Sequence, residues 1–157
     1  MVMAHKLRVA FSIAALAAVA ATGCGSQAAA GGPSHVISQA DAVCKQVEAR
    51  SAAINASLSK VRSQQMKEIA KVAPGFSQFE LQAVERLRAL AVPASLAGEW
   101  RELLAGMQQL AVDTARLGVA AGAGNSKGME AINASGQPIR SRLEGIAQHV
   151  GFKYCGR

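Results

Sequence analysis

The sequence predicts an all-α fold, a four-helix up-down-up-down bundle closed by one disulfide, and three observations lead there. Alanine is abundant and aromatic residues make up only 4% of the chain, a composition that favours helix over strand. No segment alternates β-branched and polar residues with the period of two that marks a half-buried strand. Instead, four segments of about 23 to 29 residues carry apolar side chains at spacings of three and four, and short loops between segments of similar length join antiparallel neighbours.

Before the helices comes an address. Lys6 and Arg8 precede an apolar run from Val9 to Ala21, which is followed by Thr22, Gly23 and Cys24. A basic start, about a dozen apolar residues and small residues before a cut are the parts of a secretory signal, and the run is too short to span a bilayer. Ala21-Thr22-Gly23-Cys24 resembles the bacterial lipobox, in which the cysteine thiol takes a diacylglyceryl group and becomes the first residue of the mature chain. Residues 1–23 are expected to be a lipoprotein signal peptide and Cys24 the lipidation site. Two acyl chains, at about 0.8 kcal/mol per buried methylene, hold a protein on a membrane without spanning it. The alternative is an ordinary signal cut near Ala21 or Gly23, which leaves a secreted soluble protein with a free Cys24 thiol.

Residues 24–37 are small and polar without periodicity, and read as the lipidated cysteine and a flexible tether with a span on the order of 20 Å. The helical domain is expected over residues 38–157. Ser38 to Asp41 has the form of a capping box, so the first helix is expected to start there, with Ala40, Val43, Cys44, Val47, Ile54, Leu58 and Val61 on its inner face. Residues 63–91 read as a second helix, broken or kinked at Pro74. It restarts at a second capping box, Ser77 to Glu80, with Phe76 stapled onto Leu81.

Val92-Pro93 stops that helix, and Ser95 is expected to cap the third. Its stripe is Leu96, Trp100, Leu103, Leu104, Met107, Leu110, Ala111 and Leu117, ending in the turn Gly122 to Asn125. The fourth helix starts near Lys127 and points Met129, Ile132, Ile139, Leu143, Ile146 and Val150 inward. Gly136 and Pro138 are expected to kink it, and Gly151 suits the left-handed position that ends a helix.

In this topology the start of the first helix and the end of the last lie at the same end of the bundle, where Cys44 and Cys155 can meet. They are the two cysteines left once Cys24 is set aside, in an export context where disulfides persist. The expected Cys44–Cys155 bridge closes a loop of about 110 residues, worth roughly 4 to 5 kcal/mol on the chain-entropy model. The alternative is a pair of reduced core thiols.

Chemistry beyond the sulfurs is sparse. His5 leaves with the signal, His35 falls in the tether and His149 stands alone near a helix end, a surface or capping residue. No Glu-x-x-His pair offers a metal site, and no cofactor is implied. No Gly-x-Ser-x-Gly occurs, and Gly122, Gly124 and Gly128 follow no strand and precede no Gly-Lys-Ser/Thr. Loss of the signal removes two bases and no acid, leaving 15 bases against 10 acids, or +5. These charges are interleaved along the chain, which speaks against nucleic acid as a partner. Trp100, the single tryptophan, reads either as core packing or as a binding anchor.

Ala40-Asp41-Ala42-Val43-Cys44, Leu87-Arg88-Ala89-Leu90-Ala91-Val92-Pro93-Ala94 and Gly151-Phe152-Lys153-Tyr154-Cys155-Gly156 together resemble small actinobacterial secreted lipoproteins of uncharacterised function. The resemblance covers most of the mature domain. It implies a disulfide-closed helical bundle on the cell envelope, and it brings no catalytic residues. The middle motif more often has two prolines, and Val92 holds the first place here.

The functional expectation is therefore a non-enzymatic binding or structural module. It would sit on the outer face of the cell membrane by a lipid anchor and meet another envelope component. The alternative is a carrier that holds a small apolar ligand between the helices. A carrier requires an interior cavity of a few hundred Å³, and a surface-binding module a filled core with an exposed patch.

Overall fold

A computed structural model describes residues 32–156, and it contains four long α-helices joined by short connections. They are α1 (Pro33–Lys60), α2 (Gln65–Arg88), α3 (Ala97–Gly122) and α4 (Ser126–Val150), with single 3₁₀ turns at Arg62–Gln64 and Ala94–Leu96. The four-helix bundle expected from the sequence is the fold, and the Cys44 and Cys155 sulfurs are bonded at 2.01 Å. Cys24 and the signal-like segment lie outside the described residues. Among those described, no helix is long and apolar enough to cross a membrane.

The first helix starts earlier than Ser38. Pro33 stands in its first turn, where a fixed φ and a missing N–H cost nothing, and Val36 is already buried at 2% exposure. Residues 33–37, expected in the tether, are thus the first turn and a half of α1. Asp41 then lies inside the helix and cannot complete a capping box.

Two further sequence signals resolve differently. Ser77 and Glu80, expected as a second capping box, sit within an uninterrupted α2 that runs through Pro74. The buried Ser77 hydroxyl donates to the Ala111 carbonyl oxygen of α3 at 2.6 Å, and Phe76 does not serve as a staple before a cap. α2 continues through Pro74, and Gly118 of α3 lies close beside its ring. At Gly118 a Cβ would come within 2.9 Å of Ala73 Cβ and 3.3 Å of Pro74 Cδ. Small residues, among them Ala73, Ser77, Ala111 and Gly118, thereby bring α2 and α3 together. The turn into α4 follows expectation: the Asn125 side chain accepts the Gly128 N–H, and Gly151 ends the helix at φ 89°.

After Gly151 the chain folds back over the end of the bundle. Phe152 is buried against Trp100, ring centroids 6.2 Å apart. The Asp41 carboxylate accepts the backbone N–H groups of Lys153 at 2.9 Å, Tyr154 at 2.9 Å and Cys155 at 3.3 Å. Close helix packing runs between chain neighbours, α1 with α2, α2 with α3 and α3 with α4. The first and last helices, which would seal the bundle, approach each other less closely than these neighbouring pairs, though Val36, Ala40 and Val43 of α1 share one core with Leu143, Ile146 and Ala147 of α4. Their union is made at one end, by the tail and its disulfide.

Candidate functional site: a cleft along the α1–α4 seam

The unsealed seam has a cause in the sequence of α1. Its N-terminal half fully buries Val36, Ala40, Asp41, Val43 and Cys44, and in its C-terminal half Val47, Ser51, Ile54 and Leu58 are only half-buried. Continued inward from Val47, the stripe meets Ser51, Ile54, Asn55 and Leu58, with Ala52 and Ala53 beside them. Ser51 is short and Asn55 is polar and exposed, so neither supplies the apolar bulk that would close the seam toward α4.

The space left is a cleft of about 390 Å³ walled by all four helices and the tail. Glu48, Ala52 and Asn55 stand at its solvent-exposed rim on α1. Inside are Val47, Phe76 and Glu80, together with Met107, Leu110 and Leu143. A second space of about 220 Å³ continues it toward the other end of the bundle, sharing Ser51, Asn55 and Phe76 and adding Ile69, Thr114, Leu117 and Met129. The lining is predominantly apolar in both, as in small-molecule sites generally.

Glu80 is the exception within that lining. It occupies a core position of α2, in the series Ala73, Ser77, Glu80, Val84 and Leu87, whose other four members are buried. Its Oε2 is shielded from solvent and has no hydrogen-bond partner in the protein. Burial pushes the carboxyl up to about 7, against a smaller lowering by the Thr114 hydroxyl. The Thr114 hydroxyl donates its one proton to the Leu110 carbonyl oxygen at 3.0 Å.

The residues singled out from sequence fall as follows. Cys44 and Cys155 are brought together, and Cys44 forms part of the cleft wall. Trp100 is 6% exposed and packs on Phe152, as the core-packing reading of this residue expects. His35 is exposed in the first turn of α1. His149 is exposed near the end of α4, its Nδ1 3.5 Å from Glu99 Oε1 on α3. Among the described residues no three of His, Cys, Asp and Glu come together as a metal-binding group.

Sequence reasoning missed Glu80 and the cleft. The signal was available as a charged residue in step with the apolar period of α2, but Ser77-x-x-Glu80 after Pro-Gly also spells a helix start. Comparison with family models, with curated proteins and with solved structures finds no match for this chain.

Proposed function

We propose that the domain is a non-enzymatic binding module of the cell envelope, anchored through lipid on Cys24, that holds a small apolar ligand between its helices. The observation that carries this reading is the cleft along the α1–α4 seam. Its volume suits a small molecule, its lining is mostly apolar, and the helix ends at the disulfide are fixed while the rest of the seam is open. The signal-like start up to Cys24 and the resemblance to small secreted lipoproteins support the address.

A module that binds another envelope protein through an outer face has less behind it. Among the described residues the exposed large hydrophobic side chain is Val119, at 74%, and one such residue is not a patch.

The test uses N-phenyl-1-naphthylamine, an apolar dye whose fluorescence rises out of water. Saturable binding at one site per chain is expected, lost in Ser51→Leu and Ser51→Phe, which add bulk to the seam. No binding, or binding unchanged in both filled variants, overturns the proposal.

A further inference from the structure

We infer that the ligand of this cleft is a lipophilic amine, its apolar body lying among Val47, Phe76, Met107, Leu110 and Leu143 and its protonated nitrogen donating to the Glu80 carboxylate. The inference rests on the reading of the cleft as a ligand site and adds the chemical class of the ligand.

Charge complementarity is the first argument. The chain as a whole is basic, with 17 Lys and Arg against 10 Asp and Glu, yet the charged side chains among the described residues of the cleft wall are two carboxylates, Glu48 and Glu80. Of the bases of α1, Lys45 lies over the Tyr154 ring at 5.4 Å, on the tail wall of the cleft, and Arg50 over Phe79 at 5.0 Å. Among the side chains that line the cleft itself, an anion would meet only like charge.

The second argument is the unmet acceptor. A buried oxygen with no donor is costly, and a carboxylate costs more than a neutral group. Glu80 lines the cleft from a core position while its Oε2 is occluded, so a donor from outside the chain reaches the carboxyl from the cleft side. A primary or secondary ammonium supplies both the N–H and the charge, and a charge-assisted bond of this kind is about twice as strong as a neutral one. Burial that raises the carboxyl to about 7 also sets when the site is ready, since the pair needs Glu80 ionised while the amine stays protonated. The other titratable groups facing the cleft are Glu48 on α1 and Tyr154 on the tail. The cleft-lining residues of α3 and α4 contribute none.

A matched series of ten-carbon probes tests this: decylamine, decanol and decanoate, titrated calorimetrically against the chain from residue 24 with Cys24→Ser, so that no acyl chain competes. Among the described residues every buried core residue lies within 36–155, inside this chain. At pH 8 the amine is expected to bind at least tenfold tighter than the alcohol, and the carboxylate weakest. The advantage of the amine shrinks on going down to pH 5.5. Glu80→Gln is expected to bring amine and alcohol level while leaving the alcohol's affinity within about threefold, and Glu48→Gln to change the ratio far less. Amine and alcohol binding equally in the unaltered site overturns the inference and leaves the apolar site standing. Failure of all three probes to bind overturns both.

Discussion

The Asp41 carboxylate, in the N-terminal half of α1, accepts the Tyr154 backbone N–H at 2.9 Å across 113 positions of sequence. The same carboxylate also takes the N–H groups of Lys153 and Cys155. One side chain thus satisfies three successive donors in a tail that has left its helix and has no ladder of its own. Tail and α1 are tied twice, by this carboxylate and by the disulfide three residues along the helix.

Asp41→Ala is therefore expected to destabilise the domain by about 2 to 4 kcal/mol with the disulfide intact, because partly buried N–H groups lose their acceptor. Urea unfolding measures the loss. Amide exchange at residues 153–155 should accelerate more than elsewhere.

Replacing Cys44 and Cys155 together by alanine is expected to lower stability by about 3 to 5 kcal/mol, the range for a bridge closing so long a loop. The shift in the urea midpoint under oxidising conditions reads it. Because α1 and α4 approach each other less closely than neighbouring helices do, exchange in α1 should rise before exchange in α2 and α3.

Glu80 makes stability fall as pH rises. Its carboxyl is raised in the fold, so between its ordinary value and about 7 the folded state holds a proton that the unfolded state has lost. Raising the pH through that window removes stability, and above it the loss is complete. At about 1.4 kcal/mol per pH unit the ceiling is about 3 kcal/mol, and partial solvent access brings the expected loss to about 1 to 2 kcal/mol. Glu80→Gln should match the natural chain near pH 5 and exceed it by that amount at pH 8, in chemical unfolding at both pH values.

The contact of α2 with α3 tolerates no added bulk at Gly118. Gly118→Val is expected to cost about 1 to 3 kcal/mol, since the new side chain meets Ala73 and the Pro74 ring and neither can turn aside. Gly145→Ala in α4, where a Cβ meets nothing within 4 Å, should gain about 0.5 to 1 kcal/mol. Opposite signs in thermal unfolding check the pair.

The architecture was legible wherever a strong period met a clear stop. The stripe of α3 with Leu103, Leu104 and Ala111, the turn at Asn125 and the left-handed Gly151 all stand where residue spacing and turn chemistry put them. The disulfide followed from antiparallel topology and cysteine number. Legibility failed where one short pattern served two meanings. Ser38 to Asp41 and Ser77 to Glu80 both spell a helix start, yet each lies within a helix, where Asp41 and Ser77 reach across to other segments. The start of α1 was hidden because Gly32, Pro33 and Ser34 look like linker until Val36 is seen in the core.

The cleft was illegible for a different reason. Ser51, Asn55 and Glu80 are unremarkable one at a time, and the space they line exists only once four helices set their distance. Periodicity reports which face of a helix turns inward, not whether the side chains on it fill the gap.

The most direct test of the central claim is the site of contact itself, read by nuclear Overhauser effects between bound N-phenyl-1-naphthylamine and the methyl groups of the chain. Contacts to Val47, Met107, Leu110 and Leu143 are expected, together with sparse contacts at Val119. Contacts confined to the outer face around Val119, with the cleft methyls unmoved, would contradict the account.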